Sequence, residues 1–274
     1  MLDATQPLDR RTFLADLGRG AFALAVFGVV GCSPAAVVTS RPSASAAGSA
    51  SPSGEGAGAS NPPTAAGSPP PSGGAGGREG VTWERVNLGF VSAYVLVRGG
   101  EAAVVDTGTS GSADAIEASL SGVGIDWSAV GHLILTHHHG DHAGSAADVM
   151  ERAPSAAGYA GAEDIGSITV PRQLTAVADG DEVFGLRVVT TPGHTAGSIS
   201  VLDPVGGILV AGDALGTSGG KPTLPNAQFT DDMIQAKASI VKLGGLTFET
   251  LLVGHGDPIE SGSSAAVADL GAAG

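Results

Sequence analysis

The sequence contains little cysteine, few cationic residues and only a short apolar run near its start. Its single cysteine, Cys32, excludes a disulfide within the chain. Lysine and arginine total 13 against 27 aspartates and glutamates, which gives a formal net charge of -14. This acidic balance disfavours nucleic acid as a partner, because phosphate backbones are bound through Lys and Arg. The apolar segment at residues 20–31 is too short to span a bilayer as a helix.

The first 32 residues have the organisation of a bacterial export signal. Arg10-Arg11-Thr-Phe-Leu resembles a twin-arginine signal, and the apolar segment after it has the size of a signal-peptide core. Val29-Val30-Gly31-Cys32 resembles a lipoprotein box, in which the cysteine is acylated. We therefore expect residues 1–31 to be a signal peptide and lipidated Cys32 to anchor the exported protein on the outer side of the cell membrane. An ordinary signal, with Cys32 incidental, is the alternative.

A segment of small residues follows the signal. Between residues 33 and 79, 38 of 47 residues are Ala, Gly, Ser or Pro. Such a composition offers too little apolar surface to offset the entropy of ordering, so we expect a disordered tether. Residues 80–274 have a suitable length for one domain with its own core.

Short apolar runs divided by glycine begin at Val81 and predict a domain of strands with a few helices. This mixture indicates an α/β or α+β fold. The expected helices cover residues 110–121, 143–152 and 231–243. The expected strands cover residues 83–88, 92–98, 102–105, 132–135, 174–177, 186–191, 198–202, 207–210 and 251–253.

The most informative segment is a histidine-rich turn directly after the apolar residues 133–135. It contains His137, His139, Asp141 and His142. Two histidines separated by one residue on extended backbone project to the same side, while the later pair is placed to face a second ion. The spacing thus predicts two metals at the end of a buried strand. A solvated histidine-rich loop is the alternative for this turn alone. Three further apolar runs, however, also end in glycine and a ligand-type residue: His194, Asp213 and His255.

This set resembles the metallo-β-lactamase superfamily, whose signature His-x-His-x-Asp-His is matched at residues 137–142. The resemblance covers residues 80–263 and implies a four-layer αβ/βα sandwich with the metals at one edge. It places one metal on His137, His139 and His194. It places the second on Asp141, His142 and His255, with Asp213 bridging the two. Asp106 is implied as the partner that orients a ligand, with capping of the Asp-Thr-Gly turn as the alternative.

Histidine and aspartate ligands favour zinc, with iron or manganese left open. Two such ions lower the pKa of a shared water and make metal-bound hydroxide available as a nucleophile. Asp141 is expected to orient that nucleophile and to handle its proton. With aspartate at position 213, the ligand set resembles that of thioesterases of the glyoxalase II type, lactonases and phosphodiesterases rather than that of β-lactamases. We expect no long helical extension similar to the glutathione-recognising part of glyoxalase II, and therefore no specificity for glutathione thioesters.

The expected activity is therefore hydrolysis of a small ester, thioester or lactone by a dinuclear zinc enzyme. Three alternatives stay open. One is a mononuclear iron dioxygenase of the persulfide-oxidising kind, which would use only His137, His194 and Asp213. Another is a β-lactamase or phosphodiesterase of the same fold, and the third is a non-catalytic metal-binding module of the cell envelope. The expected partner is a small-molecule substrate, and the sequence does not indicate an oligomeric state.

Five other residues are expected to lie outside the set of ligands. His138 lies between two ligands and should point away from them, and His132 should be a polar residue at a strand edge. Trp83 and Tyr159 are expected in the core, with a place in a substrate pocket as the alternative. Lys221 is expected on the surface, with contact to an anionic substrate as its alternative.

Overall fold

The computed structural model describes residues 79–273. The described residues all belong to one compact unit. The expected signal peptide, Cys32 and nearly all of the expected tether lie outside the described residues. No helix among residues 79–273 combines the length and apolar content that crossing a membrane requires.

The first sheet has six strands that lie side by side in chain order. They are β1 (Thr82–Asn87), β2 (Ser92–Arg98), β3 (Glu101–Val105), β4 (Val130–Ile134), β5 (Ala157–Gly161) and β6 (Thr175–Val177). The first three pair antiparallel, and β3 to β6 pair parallel. Carboxyl ends of neighbouring parallel strands meet at one edge, so the segments after β3 and β4 lie next to each other.

The second sheet has five strands in the order β13-β10-β9-β8-β7. They are β7 (Glu182–Val183), β8 (Leu186–Thr190), β9 (Ile199–Asp203), β10 (Ile208–Val210) and β13 (Thr250–Leu252). Because β8 and β10 both run antiparallel to β9, while β13 runs parallel to β10, strands β8, β10 and β13 end at one edge. A separate hairpin pairs β11 (Gly216–Ser218) with β12 (Lys221–Thr223).

Four α-helices in the described residues cover the outer faces of the two sheets: α1 (Ala113–Gly122), α2 (Ala146–Arg152), α3 (Met233–Gly244) and α4 (Ser263–Ala273). One apolar cluster joins Ile116 of α1 and Met150 of α2 to the first sheet. A second lies between the two sheets. The third joins Ile240 of α3 and Val267 of α4 to the second sheet. The protein is therefore a helix–sheet–sheet–helix sandwich, which confirms the predicted fold class.

The predicted strands and helices are present, most with ends shifted by one or a few residues. Helix α2 begins at Ala146 rather than at residue 143, because the preceding backbone bonds to other segments. The Ala143 amide donates to the His139 carbonyl, and the Gly144 amide donates to the Gly108 carbonyl. The peptide groups before Ala146 are thus already satisfied outside the helix.

The sequence did not predict β5, β7, the β11–β12 hairpin or α4. Strand β5 has the sequence AGYAG, which lacks the β-branched residues typical of strands, and it is held by parallel pairing on both sides. Helix α4 is rich in alanine and packs closely on α3, where a Cβ at Gly244 would meet the Ala268 backbone. Both elements depend on tertiary neighbours rather than on a local pattern.

Candidate metal centre

The seven predicted ligands lie together where four strands end. The turn after β4 contributes His137, His139, Asp141 and His142. Segments after β8, β10 and β13 contribute one residue each: His194, Asp213 and His255. Asp106 directly follows a fifth strand, β3. Since these strands belong to both sheets, the cluster forms only when the two sheets pack together.

Three histidine rings form the first group. The Nε2 atom of His137 lies 3.1 Å from Nδ1 of His139, and Nε2 of His194 lies 3.0 Å from the same Nδ1. Zinc–nitrogen distances of about 2.0–2.1 Å in a tetrahedral site imply nitrogen separations of about 3.3 Å. The three nitrogens are thus spaced as ligands of one small cation.

Two further groups overlap with the first. His142 and Asp213 combine with His137, and Asp141 and His142 combine with His255. The ligand atoms of every group lie within 4.8 Å of one another.

Asp213 touches histidines from both sides of the cluster. Its Oδ2 lies 3.4 Å from Nε2 of His194 and 3.2 Å from Nε2 of His255. Its Oδ1 lies 3.2 Å from Nε2 of His142. This carboxylate is therefore positioned between the group of His194 and the group of His255.

The hydrogen bonds of two histidines fix which ring nitrogen carries the proton. The Thr136 hydroxyl donates to Asp106 and must accept from Nδ1 of His137. In the same way, the Thr230 hydroxyl donates to the Asn226 carbonyl and accepts from Nδ1 of His194. Both rings therefore direct an unprotonated Nε2 toward the cluster, the usual arrangement of metal-ligating histidines.

Two other histidines donate their Nδ1 protons directly to oxygen atoms. His142 donates to Oδ2 of Asp106 at 2.8 Å, and His255 donates to the Phe90 carbonyl at 2.7 Å. Thr230 and Phe90 were not identified from the sequence, because the histidines they bond are distant in the chain. Thr136 adjoins His137, but its acceptor Asp106 lies 30 positions away, so its role was not identified either.

Asp106 is buried and adopts a positive φ of 61°, a region in which aspartate is enriched among non-glycine residues. Its Oδ1 accepts from the Thr136 amide at 2.8 Å. Its Oδ2 accepts from the Thr136 hydroxyl and from His142. The carboxylate thus orients His142 directly and His137 through Thr136.

The electrostatics of the cluster suit a bound cation. Burial, together with the neighbouring histidines, lowers the pKa of His137 well below its ordinary value, and burial lowers the pKa of His194 to about 4. Burial also opposes protonation of His142, but Asp106 and Asp213 outweigh it and raise its pKa to about 10. The space between His142 and Asp213 therefore favours a positive charge.

Two buried atoms at this point, Nε2 of His142 and Oδ1 of Asp213, lie 3.2 Å apart without the geometry of a hydrogen bond. Neither has another hydrogen-bond partner within the described residues. Buried polar atoms in proteins normally have a partner. The unprotonated rings, the spacing of the nitrogens and these two atoms all fit a metal ion held by this set.

Asp164 connects the two loops that carry the first group. Its buried carboxylate accepts from the His138 amide at 2.9 Å, the Thr195 hydroxyl at 2.7 Å and the Gly197 amide at 2.9 Å. It thereby ties the loop of His137 and His139 to the loop of His194. Sequence reasoning missed Asp164 because β5, the strand that precedes it, was not recognised.

Gly254 allows the last ligand loop to pass close to the cluster. A Cβ at this position would overlap the Asp213 carboxylate and the His142 ring. The glycine that precedes His255 therefore has a steric role at the site.

The five residues expected outside the ligand set lie outside it. Nδ1 of His138 lies 3.1 Å from Asp164, and the His132 ring contacts the rings of Tyr159 and Phe184. Trp83 and Tyr159 pack on the apolar cluster between the sheets. Lys221 lies on β12 opposite Ser218 and does not line the cavity described next.

A cavity of about 890 Å³ opens over the cluster. Five predicted ligands line it, together with the segment after β12 and the turn between β1 and β2. Asp141 is one of these ligands, and its Oδ2 lies 3.3 Å from Nε2 of His255. The cluster is thus accessible to a small molecule on one side and supported by protein on the other.

Comparisons with known proteins agree with this architecture. The sequence matches the metallo-beta-lactamase superfamily over residues 86–255. Hydroxyacylglutathione hydrolase of Cupriavidus metallidurans is 34% identical over 168 residues, which are 57% of this chain and 59% of that protein. The chain thus spans less than two thirds of that relative. Metallo-beta-lactamase domain-containing protein 1 of Xenopus laevis is 34% identical, covering 60% of this chain and 70% of that protein.

Solved structures show the same fold. A metallo-beta-lactamase family protein of Thermus thermophilus superposes with a TM-score of 0.57 at 26% identity, covering 71% of this chain and 79% of that one. Metallo-beta-lactamase SMB-1 has a TM-score of 0.56 at 20% identity, covering 72% and 91% of the two chains. Since the family match covers more than half of the chain and includes all seven clustered residues, the protein belongs to the metallo-β-lactamase superfamily and is a metallo-hydrolase.

Proposed function

We propose that the protein is a dinuclear zinc hydrolase of small esters, thioesters or lactones. The observation that carries this proposal is the position of Asp213, whose two oxygens face His142, His194 and His255. One metal would be held by His137, His139 and His194, and the second by Asp141, His142 and His255, with Asp213 between them. Imidazole and carboxylate donors in this combination favour zinc.

When bound, the metals supply polarisation of the scissile carbonyl and a lowered pKa for water. The protein contributes the orientation of the reacting groups. Asp141 lines the cavity and remains partly exposed, so its carboxylate can orient a water molecule and accept its proton. The hydrogen bonds of Asp106, Thr136 and Thr230 hold the histidine rings with Nε2 directed inward.

The relatives support carbonyl chemistry. One is named hydroxyacylglutathione hydrolase, which favours a thioester or ester over a phosphodiester for this chain. The chain spans only 59% of that relative, so glutathione itself is not part of the proposal. An aspartate at position 213 distinguishes the site from β-lactamases, which by resemblance generally carry another residue there, often cysteine or serine.

The test is turnover by the purified full-length protein, loaded with zinc, on matched aryl ester, thioester, lactone, β-lactam and phosphodiester substrates. We expect turnover only on the first three, and we expect chelation to abolish it and zinc to restore it. Metal content is measured on the same preparation, with about two zinc ions per chain expected. Cleavage of the β-lactam or phosphodiester alone would contradict the proposed substrate chemistry.

Other outcomes would identify the alternatives. About one iron and no zinc per chain, together with persulfide oxidation, would indicate that the protein is the dioxygenase rather than the hydrolase. Saturation with metal but no turnover of any substrate would indicate a binding module.

We also propose that the protein acts outside the bacterial cytoplasm, anchored to the cell membrane through a lipid on Cys32, without a nucleic-acid partner. The support is the lipoprotein box at residues 29–32, preceded by Arg10-Arg11. Metabolic labelling with a clickable fatty acid should label the wild type and leave Cys32→Ser unlabelled. Equal labelling of both, or no labelling of the wild type, would contradict lipidation.

A further inference from the structure

The entrance of the cavity carries two exposed aromatic side chains. Phe90 is 65% exposed and Phe229 is 63% exposed, and both line the cavity. Leu215, Leu224 and Pro225 add apolar surface on the same walls. Large apolar side chains grouped at the opening of a cavity typically mark a ligand site, because their exposure to water is unfavourable.

Each aromatic belongs to a segment that is bonded to a proposed metal ligand. The Phe90 ring stacks on His255, with centroids 6.1 Å apart and an interplanar angle of 15°, and its carbonyl accepts from the same histidine. Phe229 directly precedes Thr230, whose hydroxyl bonds to His194. The Phe90 ring is therefore held against His255, and the backbone at Phe229 is held next to a residue bonded to His194.

The charge of the cavity disfavours substrates that carry an anionic group. The described residues that line it include the carboxylates of Asp141 and Asp213 and contain no lysine or arginine. Arg85 binds Asp257 and the Gly256 carbonyl instead. A substrate whose non-reacting part carries a carboxylate or phosphate would find no cationic side chain there, since the positive charge is confined to the metal centre.

We propose that Phe90 and Phe229 select an uncharged carbonyl substrate whose acyl chain is apolar and contacts both rings. The inference rests on the proposed hydrolase function and assigns its substrate class. It places the carbonyl at the metal centre and the chain along the apolar walls toward the opening. A substrate with anionic groups on its acyl part, by contrast, is disfavoured.

The experiment compares three p-nitrophenyl esters with the zinc-loaded full-length protein: acetate, hexanoate and mono-adipate. Hexanoate and mono-adipate have the same chain length and differ in a terminal carboxylate. We expect kcat/KM for hexanoate to exceed that for acetate by at least about 10-fold, because added methylenes contact apolar walls. We expect kcat/KM for mono-adipate to be at least about 10-fold lower than that for hexanoate.

Variants test the two rings. Phe229→Ala and Phe90→Ala should each reduce the preference for hexanoate over acetate, whereas Val205→Ala should leave it unchanged. Val205 is a matched control because it is 54% exposed and lies outside the cavity. Phe229→Lys should raise kcat/KM for mono-adipate relative to that for hexanoate by roughly 5-fold, as expected for one exposed charge pair.

A binding measurement adds a result that does not depend on turnover. The neutral dye Nile red should bind the metal-free protein with increased fluorescence, and Phe229→Ala should weaken its binding by about 5-fold. Binding unaffected by either phenylalanine variant would overturn the inference. Turnover of the esters without a chain-length preference, or with mono-adipate favoured, would overturn the inference alone. No turnover of the three esters by a protein that hydrolyses a thioester or lactone would overturn the inference alone. No turnover of any ester, thioester or lactone would overturn the proposed function and this inference with it.

Discussion

Replacing Asp213 by alanine is expected to lower kcat/KM for carbonyl substrates by more than about 100-fold and to reduce the metal content per chain. Loss of an outer partner of a metal ligand already costs about 10–100-fold in metal affinity or activity, and Asp213 is itself a proposed ligand. Its oxygens face His142, His194 and His255 at 3.2–3.4 Å, so one substitution removes a donor from both metal positions. The measurements are steady-state kinetics and metal analysis of the same dialysed sample.

Asp148→Ala provides the control for Asp213. This aspartate is exposed on α2 and is close in sequence to the metal-binding turn. We expect the activity of Asp148→Ala to stay within about twofold of the wild type, because surface substitutions usually change stability by about 0.5 kcal/mol or less. Full activity and full metal content in Asp213→Ala would exclude Asp213 as a bridging ligand and would remove the main support for the dinuclear proposal.

Asp164→Ala is expected to lower the free energy of unfolding by about 3 kcal/mol and metal affinity by about 10–100-fold. The substitution leaves the His138 amide, the Gly197 amide and the Thr195 hydroxyl without their buried acceptor. Because these donors belong to the loops of His137, His139 and His194, the loss should loosen the first metal group. Asp164→Asn retains one oxygen acceptor and should show a smaller loss of both quantities.

The readouts separate positioning from general stability. Metal affinity is measured at a temperature where each variant is folded, alongside denaturant unfolding of the metal-free protein. Asp179→Ala serves as the control, because Asp179 is a half-exposed carboxylate bonded to Lys242 and Thr190 away from the site. Asp179→Ala should lower the free energy of unfolding by at most about 1 kcal/mol and leave metal affinity unchanged. If Asp164→Ala is unstable but binds metal like the wild type, Asp164 has no positioning role.

The strands that could be predicted from the sequence were those with an apolar pattern in their own residues. Strand β2 has the sequence SAYVLVR and is buried along most of its length, so its apolar run identified it. Strand β5 has the sequence AGYAG, and only its pairing with β4 and β6 makes it a strand. Missing β5 also concealed Asp164, since an acidic residue beyond an unrecognised strand gives no signal.

At the metal site, too, some residues could be predicted from the sequence and others could not. The ligands could be identified because each follows an apolar run, whether within one turn, as for His137, or after glycine, as for His255. Their partners could not be identified in this way. Phe90 lies 165 positions from His255, and Thr230 lies 36 positions from His194. A carbonyl or hydroxyl acceptor of this kind has no characteristic residue pattern.

The sequence by itself determined the ligand types and their order, because metal chemistry restricts the choice to a few side chains and strand ends are marked by apolar runs and glycine. Tertiary structure alone decided which atoms face each other. The parallel alignment of β8, β10 and β13 brings His194, Asp213 and His255 to one edge, and the packing of two sheets places them against the turn after β4. The apolar entrance formed by Phe90 and Phe229 depends on this same packing, since segments distant in the chain meet only when the two sheets are joined.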